Sequence, residues 1–231
     1  MDKTQENSKP VKNRNRFKLI LNIVIIVFSL VALAIEGVVY YQRAYLTPFW
    51  VNGQSMYPTL NLHCKNAKGE ELGVNPIDPS AHEGYTVDYG VMDCHEKAIK
   101  KLKRFDVVVT KYSKDDTSNK IKRILGLPGE VIEFKNDGDL YINNVFVEQP
   151  VSSEYIKGAY YPVGKTTLAD DEYYVCGDNR NHSHDSRQTG PVKREAITGK
   201  AIAICGTATV YLDEKNFLDV KDINYTWPRY L

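Results

Sequence analysis

Lys120-Ile121-Lys122-Arg123-Ile124-Leu125-Gly126-Leu127-Pro128-Gly129 is the stretch on which the reading of this chain turns. Lys120–Leu125 reads as a strand, and the Gly and Pro that follow break any helix. In a strand, period two puts Lys122 on the face of Ile124 and Arg123 on the other. At a reference pKa near 10.4, roughly one Lys in 2,500 is neutral at pH 7. Desolvation beside an apolar side chain disfavours the charged form. A pKa lowered by about two units raises the neutral fraction about a hundredfold, at a cost of roughly 2.7 kcal/mol. A neutral Lys can deprotonate a Ser hydroxyl directly. From position alone, the plainer reading is an exposed strand Lys whose head reaches water.

Working outward, further strands are expected at 105–111, 131–134, 140–142 with 145–147, 172–176 and 199–212. Asn143-Asn144 between two apolar runs predicts a tight hairpin. These short strands and turn signals predict one mostly-β domain with few helices. Residues 61–103 differ: they are polar and turn-rich (Asn75-Pro76, Asp78-Pro79), and read as an insertion. The segment ends in a basic cluster, Lys97, Lys100, Lys101, Lys103 and Arg104. A solvated face is the bland expectation there, and contact with anionic lipid the sharper one.

Thirty Lys+Arg against twenty-nine Asp+Glu give a net charge of +1, and 42% of residues are hydrophobic. Mean hydropathy is -0.40. That balance excludes a nucleic-acid binder driven by bulk charge and a multi-span membrane protein. The average hides an asymmetry. Residues 1–18 carry six basic and two acidic residues, a charge of +4, so the remainder carries −3. From Leu19 to Tyr41 there is one charge, Glu36, near the far end. About 20 apolar residues cross a bilayer core. Six Lys/Arg precede this run and only Arg43 follows before Lys65, so residues 1–18 are expected in the cytoplasm and 42–231 outside it. A cleavable signal peptide ending near Ala32-Leu33-Ala34 is the competing reading, with the same location for the exterior part.

Outside the cytoplasm disulfides are permitted. Cys64 and Cys94 bracket much of the 61–103 segment, and a bridge would close a loop worth roughly 3–4 kcal/mol. Free thiols, or zinc held by these two with His63 and His95, are the alternatives. Cys176 and Cys205 lie in apolar strand patterns and read as small buried hydrophobes. Cys176 with His182, His184 and Asp185 matches no compact metal motif. No cofactor and no metal is expected.

Two more stretches carry polar chemistry. In Asn52-Gly53-Gln54-Ser55-Met56-Tyr57-Pro58-Thr59-Leu60, Ser55 sits in a turn flanked by Gly53 and Pro58. Gly177-Asp178-Asn179-Arg180-Asn181-His182-Ser183-His184-Asp185-Ser186-Arg187 is a dense polar loop after an apolar strand. Its acids can pair with Arg123 and Arg187. Nothing in the sequence places His182 or His184 near Ser55.

In this order, after one N-terminal apolar segment, these blocks resemble the type I bacterial signal peptidases, Gram-positive forms above all. The resemblance covers the anchor, 51–60, 105–134 and 173–206, over half the chain. It implies a Ser-Lys protease on a twisted, largely antiparallel, barrel-like β fold that removes signal peptides from exported preproteins at the outer membrane face. Carried over, Ser55 would be the nucleophile and Lys122 the general base. Ser183 would orient Lys122. The Ser55 N–H would serve the oxyanion hole. The hydroxyl that some members carry two residues earlier is Gly53 here, so any help from that position must be a backbone group. Asp178 with Arg123, and Asp185 with Arg187, would be structural ion pairs, and Met56 would pack near the site. The chain departs from the family at His182, usually Asn, and at Phe105, usually Gly. The implied partners are signal-peptide-bearing preproteins and a lipid bilayer. Phe49 and Trp50 would either dip into the interface or pack in the core. An inactive or narrow-client membrane-anchored accessory protein of the same fold is the alternative.

Overall fold

The computed structural model describes residues 12–73, 84–112, 118–212 and 218–231. Most of the basic tail, residues 1–11, and both Pro turns, Asn75-Pro76 and Asp78-Pro79, lie outside them. The chain divides into two units, Met1–Tyr45 and Leu46–Leu231.

In the first unit one helix, α1, runs from Lys12 to Tyr45. Its apolar part, Arg16–Gln42, is long and apolar enough to cross a membrane. The side chains of that part are all exposed, so its apolar surface has no core within the unit to cover it.

The second unit is built on antiparallel strands. They are β1 (Leu46–Trp50), β2 (Tyr85–Asp93), β3 (Val107–Thr110), β4 (Lys120–Gly126), β5 (Val131–Lys135), β6 (Asp139–Ile142) and β7 (Val145–Val147). Then come β8 (Lys165–Thr167), β9 (Glu172–Cys176), β10 (Val192–Lys193), β11 (Ile197–Leu212) and β12 (Leu218–Tyr230). Among the described residues, one sheet has the order β1-β2-β11-β3-β4-β9-β10, with β12 also paired to β11. A four-stranded sheet has the order β7-β6-β5-β8. The long β11 pairs with β2 along one edge, and β3 and β12 share its other edge.

Local chemistry explains the turns that matter. Asn143 and Asn144 have φ of 51° and 67°, the pair of left-handed residues that a two-residue hairpin needs, and they join β6 to β7. Gly129, with φ of 76°, turns the chain between β4 and β5. Phe105 has φ of 71°, a backbone conformation that suits glycine better than a residue with a side chain. Its ring packs against the core formed by Leu125, Ile132 and Phe134.

Three expectations are corrected here. Residues 61–103 contain β2, a nine-residue strand between β1 and β11, so this part of the segment belongs to the main sheet. Asp88, Gly90 and Asp93 interrupt its apolar alternation and hide the strand signal. Cys64 and Cys94 are free thiols, not a disulfide. Cys64 packs with Tyr85, at the start of β2, and Cys94 follows its other end, roughly 25 Å of strand away. The same separation keeps His63 and His95 from a shared zinc site. Among the described residues, no group of three or more His, Cys, Asp and Glu could hold a metal. In the basic cluster, Lys100 pairs with Glu96 and Arg104 makes a two-point ion pair with Glu130, so these two charges are already matched.

Candidate active site

Strand β4 carries Lys122 between β3 and β9. Lys122 pairs in register with Val108, and its same-face neighbour Ile124 pairs with Val175. Val108, Ile124 and Val175 are completely buried, and Lys122 is 4% exposed. Burial therefore pushes the Lys122 ammonium down to about 8, against the opposing pull of the Asp185 carboxylate. Its Nζ donates to Ser55 Oγ at 2.7 Å and to the Ile121 carbonyl at 3.0 Å. A largely desolvated amine in contact with a Ser hydroxyl is the arrangement that lets Lys act as a base.

Ser55 lies on the irregular stretch after β1. Met56 beside it is buried in the core with Phe49, Val51 and Leu60. Phe49 is thus a core residue, whereas Trp50 is 45% exposed. The Ser55 carbonyl accepts the Asn179 N–H at 3.0 Å. That contact brings the Ser55 loop hard against Gly177, where a Cβ would stand 2.3 Å from both the Ser55 carbonyl and Ser183 Oγ. Only glycine fits at that approach.

The loop after β9 is held by two buried ion pairs. Arg123 Nε and Nη2 donate to Asp178 at 2.8 and 2.6 Å, and Arg123 Nη1 donates to the Phe105 carbonyl. Thr59 Oγ1 donates to Asp178 Oδ2, the oxygen that also accepts from Arg123 Nη2, at 2.5 Å. Asp178 therefore ties the Ser55 loop to β4. Arg187 Nε and Nη2 donate to Asp185 at 2.8 and 3.0 Å. Arg187 also donates to the carbonyls of Tyr160, Arg180 and Ser183. Burial alone would raise the Asp185 pKa, but the Arg187 guanidinium and the Gly177 N–H hold it below the usual carboxylate range. Asp185 also caps the short helix Ser186–Thr189.

Ser183 is buried beside this cluster, where its hydroxyl helps to keep the Asp185 carboxyl ionised, and among the described residues its Oγ makes no hydrogen bond of good geometry. It does not bond Lys122 in this structure. His182 and His184 are exposed, and the side chain that bonds Ser55 Oγ is Lys122.

A second network has no signal in the sequence. Asn61, with φ of 62°, is almost fully buried. Its Nδ2 donates to the carbonyls of Val51 and Gly53 at 2.7 and 2.9 Å. Its backbone N–H donates to Asp88 Oδ2, and the Asp88 N–H donates to Asn61 Oδ1. Arg229 Nη2 donates to Asp88 Oδ2 at 3.1 Å, and Nη1 to the Thr59 carbonyl at 2.8 Å. Burial pushes the Asp88 carboxyl up, opposed by the Asn61 N–H and Arg229. These partners lie 27 and 141 residues apart, and the strands that bring them together, β2 and β12, have weak patterns.

A cleft of about 440 Å³ opens at the dyad, lined by Pro48, Trp50, Ser55, Met92, Ile121 and Lys122 among others. β1 forms one end of the sheet order beside it.

Comparison with known proteins identifies a family. A family model described as signal peptidase, peptidase S26, matches residues 20–205. Signal peptidase I T of Bacillus subtilis (strain 168) is 31% identical over 206 residues, 86% of this chain and 90% of that protein. Signal peptidase IB of Staphylococcus aureus (strain Mu50) is 30% identical over 170 residues, 67% of this chain and 75% of that one. A crystal structure of a signal peptidase I from Enterococcus faecalis V583 aligns at 32% identity and a TM-score of 0.36, over 43% of this chain and 96% of that one. A match that spans most of the chain, both dyad residues included, makes this chain a member of the signal peptidase family, peptidase S26.

Proposed function

We propose that this protein is a membrane-anchored serine endopeptidase that removes signal peptides from exported preproteins, with Ser55 as nucleophile and Lys122 as general base. The observation that carries the assignment is the 2.7 Å contact between Lys122 Nζ and Ser55 Oγ, in a site that lowers the Lys pKa to about 8.

Neutral Lys122 takes the Ser55 proton as Oγ attacks the scissile carbonyl. The tetrahedral oxyanion faces backbone N–H groups of the 53–55 loop. As it collapses, the C–N bond breaks and the Lys122 ammonium gives its proton to the leaving amine. Water, deprotonated by the same Lys, then attacks the Ser55 ester; the C–Oγ bond breaks, the Lys122 ammonium returns the proton to Ser55 Oγ, and the signal peptide leaves with a free carboxylate. Asp178 with Arg123, and Asp185 with Arg187, hold the frame in which this geometry persists. An extended substrate adds along the free edge of β1, presenting alternate side chains to the cleft.

The N-terminal apolar helix supports membrane anchoring. The excess of Lys/Arg before it supports an N-terminus in the cytoplasm and a catalytic unit outside, in the cell membrane. Residues 1–18, 19–41 and 42–231 are then tail, membrane segment and catalytic part. An enzyme held in the bilayer plane meets its membrane-inserted substrate at raised effective concentration.

The test is cleavage of a preprotein, in detergent or lipid, by wild type, Ser55→Ala and Lys122→Ala. Activity in wild type alone supports the assignment, and full activity in Ser55→Ala refutes it.

A further inference from the structure

The carbonyls around Ser55 are all occupied. Gly53 accepts from Asn61 Nδ2, Gln54 accepts from the Tyr57 N–H, and Ser55 accepts from the Asn179 N–H. The N–H groups of Gln54 and Ser55, by contrast, bond nothing among the described residues. A trans peptide carries its N–H opposite its carbonyl. With the Gly53 carbonyl drawn toward Asn61, the Gln54 N–H is turned away from Asn61. At Gly53 itself φ is +113°, and nothing lies within 4 Å of where a Cβ would stand. The side of the loop that lacks a side chain is therefore open.

We infer that Asn61 is a positioning residue for the oxyanion hole. It fixes the Gly53–Gln54 peptide so that the Gln54 N–H joins the Ser55 N–H as the second donor to the developing oxyanion. Asp88 and Arg229 hold Asn61 in place: Asp88 occupies its amide oxygen and its backbone N–H, and Arg229 clamps Asp88 to the Thr59 carbonyl. Asn61 thereby provides, from eight residues away and through a carbonyl, what a hydroxyl at position 53 would provide directly. The buried amide has no donor capacity left for the substrate, since both its N–H groups are used. It acts only through the loop. This inference rests on the peptidase reading above.

The experiment uses the full chain in detergent micelles and three ligands. The first is a signal-peptide substrate. The second is a matching peptide aldehyde, which adds Ser55 Oγ to form a tetrahedral hemiacetal. The third is the corresponding peptide alcohol, which cannot form that adduct. Asn61→Gly removes the side chain at a φ that glycine accepts. It is expected to lower kcat about 30-fold and weaken the aldehyde by a similar factor. KM and alcohol affinity should stay within about twofold, because ground-state contacts are untouched. A simple loosening of the site would weaken aldehyde and alcohol alike, and that result overturns the inference. So does a kcat within twofold of wild type. Should Asn61→Gly not fold, Asn61→Asp is read by the same ratio: it keeps the volume and the left-handed backbone but loses both donors. Wild type that neither cleaves the substrate nor binds the aldehyde sinks the peptidase reading and this inference with it. An active wild type with an unchanged Asn61→Gly sinks this inference alone.

Discussion

Lys122 sits inside β4, a strand with β3 on one side and β9 on the other, whereas Ser55 sits five residues beyond the end of β1 on an irregular loop. The Lys is placed by a hydrogen-bonded ladder and by apolar neighbours that strip it of water. The Ser is placed by side chains from elsewhere in the sequence: Asn61 with Asp88 and Arg229 on one side, Asp178 and Asn179 on the other. A ladder positions a backbone and sets burial, so it suits the residue whose pKa must change. A cross-braced loop leaves backbone N–H groups uncommitted, so it suits the residue beside which charge develops. Asp178 joins the two halves, because Arg123 of β4 and Thr59 of the loop share its carboxylate.

Substitutions in either half alone test the comparison most severely. Ser55→Ala and Lys122→Met are each expected to lower kcat/KM by about 10⁴-fold, measured by preprotein cleavage, and the double variant should be little worse than either single one. Additive losses would mean that the two residues do not act as a unit. Breaking the joint should damage both halves at once. Asp178→Ala leaves the Arg123 charge buried without its partner, and is expected to cost about 3–5 kcal/mol in urea unfolding. A loss under 1 kcal/mol would show that the pair is not what connects them.

The ladder half has its own pH signature. The folded pKa of Lys122, about 8, lies below its ordinary value of 10.5. Between these values the unfolded chain binds more protons than the folded one, so this residue makes stability rise with pH across that window. The rise is roughly 3 kcal/mol. Lys122→Met should abolish that rise, so the variant gains most over wild type below pH 8. Parallel stability curves for the two would contradict the buried, lowered Lys. The smallest effect is expected at Phe105→Gly, where relief of a left-handed backbone offsets the lost ring contacts. Its unfolding free energy should stay within about 1 kcal/mol of wild type.

The two halves also differed in how far the sequence revealed them. Strand β4 was legible because strand period and Gly-Pro punctuation fall within ten residues, whereas a role for Lys122 came only from the resemblance carried by that block. The Asn143-Asn144 hairpin was legible for the same reason, since its chemistry is local. Strands β2 and β12 were not: Asp88, Gly90 and Asp93 break one pattern, and Lys221, Asp222 and Pro228 break the other. Missing β2 made 61–103 look wholly like an insertion and made a Cys64–Cys94 bridge look feasible. It also hid Asn61, whose partners become neighbours only once β1, β2 and β12 are assembled. Ser183 shows the limit of carrying a role over by motif, for its hydroxyl is buried at the site yet does not bond Lys122 here.

The measurement that tests the central claim most directly is the pH dependence of kcat/KM for cleavage of a signal-peptide substrate. Protonated Lys122 cannot take the Ser55 proton, so activity should rise about tenfold per pH unit and level off above an apparent pKa near 8. An acidic limb centred near 6.5, the ordinary range of histidine, or a rate flat from pH 6 to 9, would contradict Lys122 as the base.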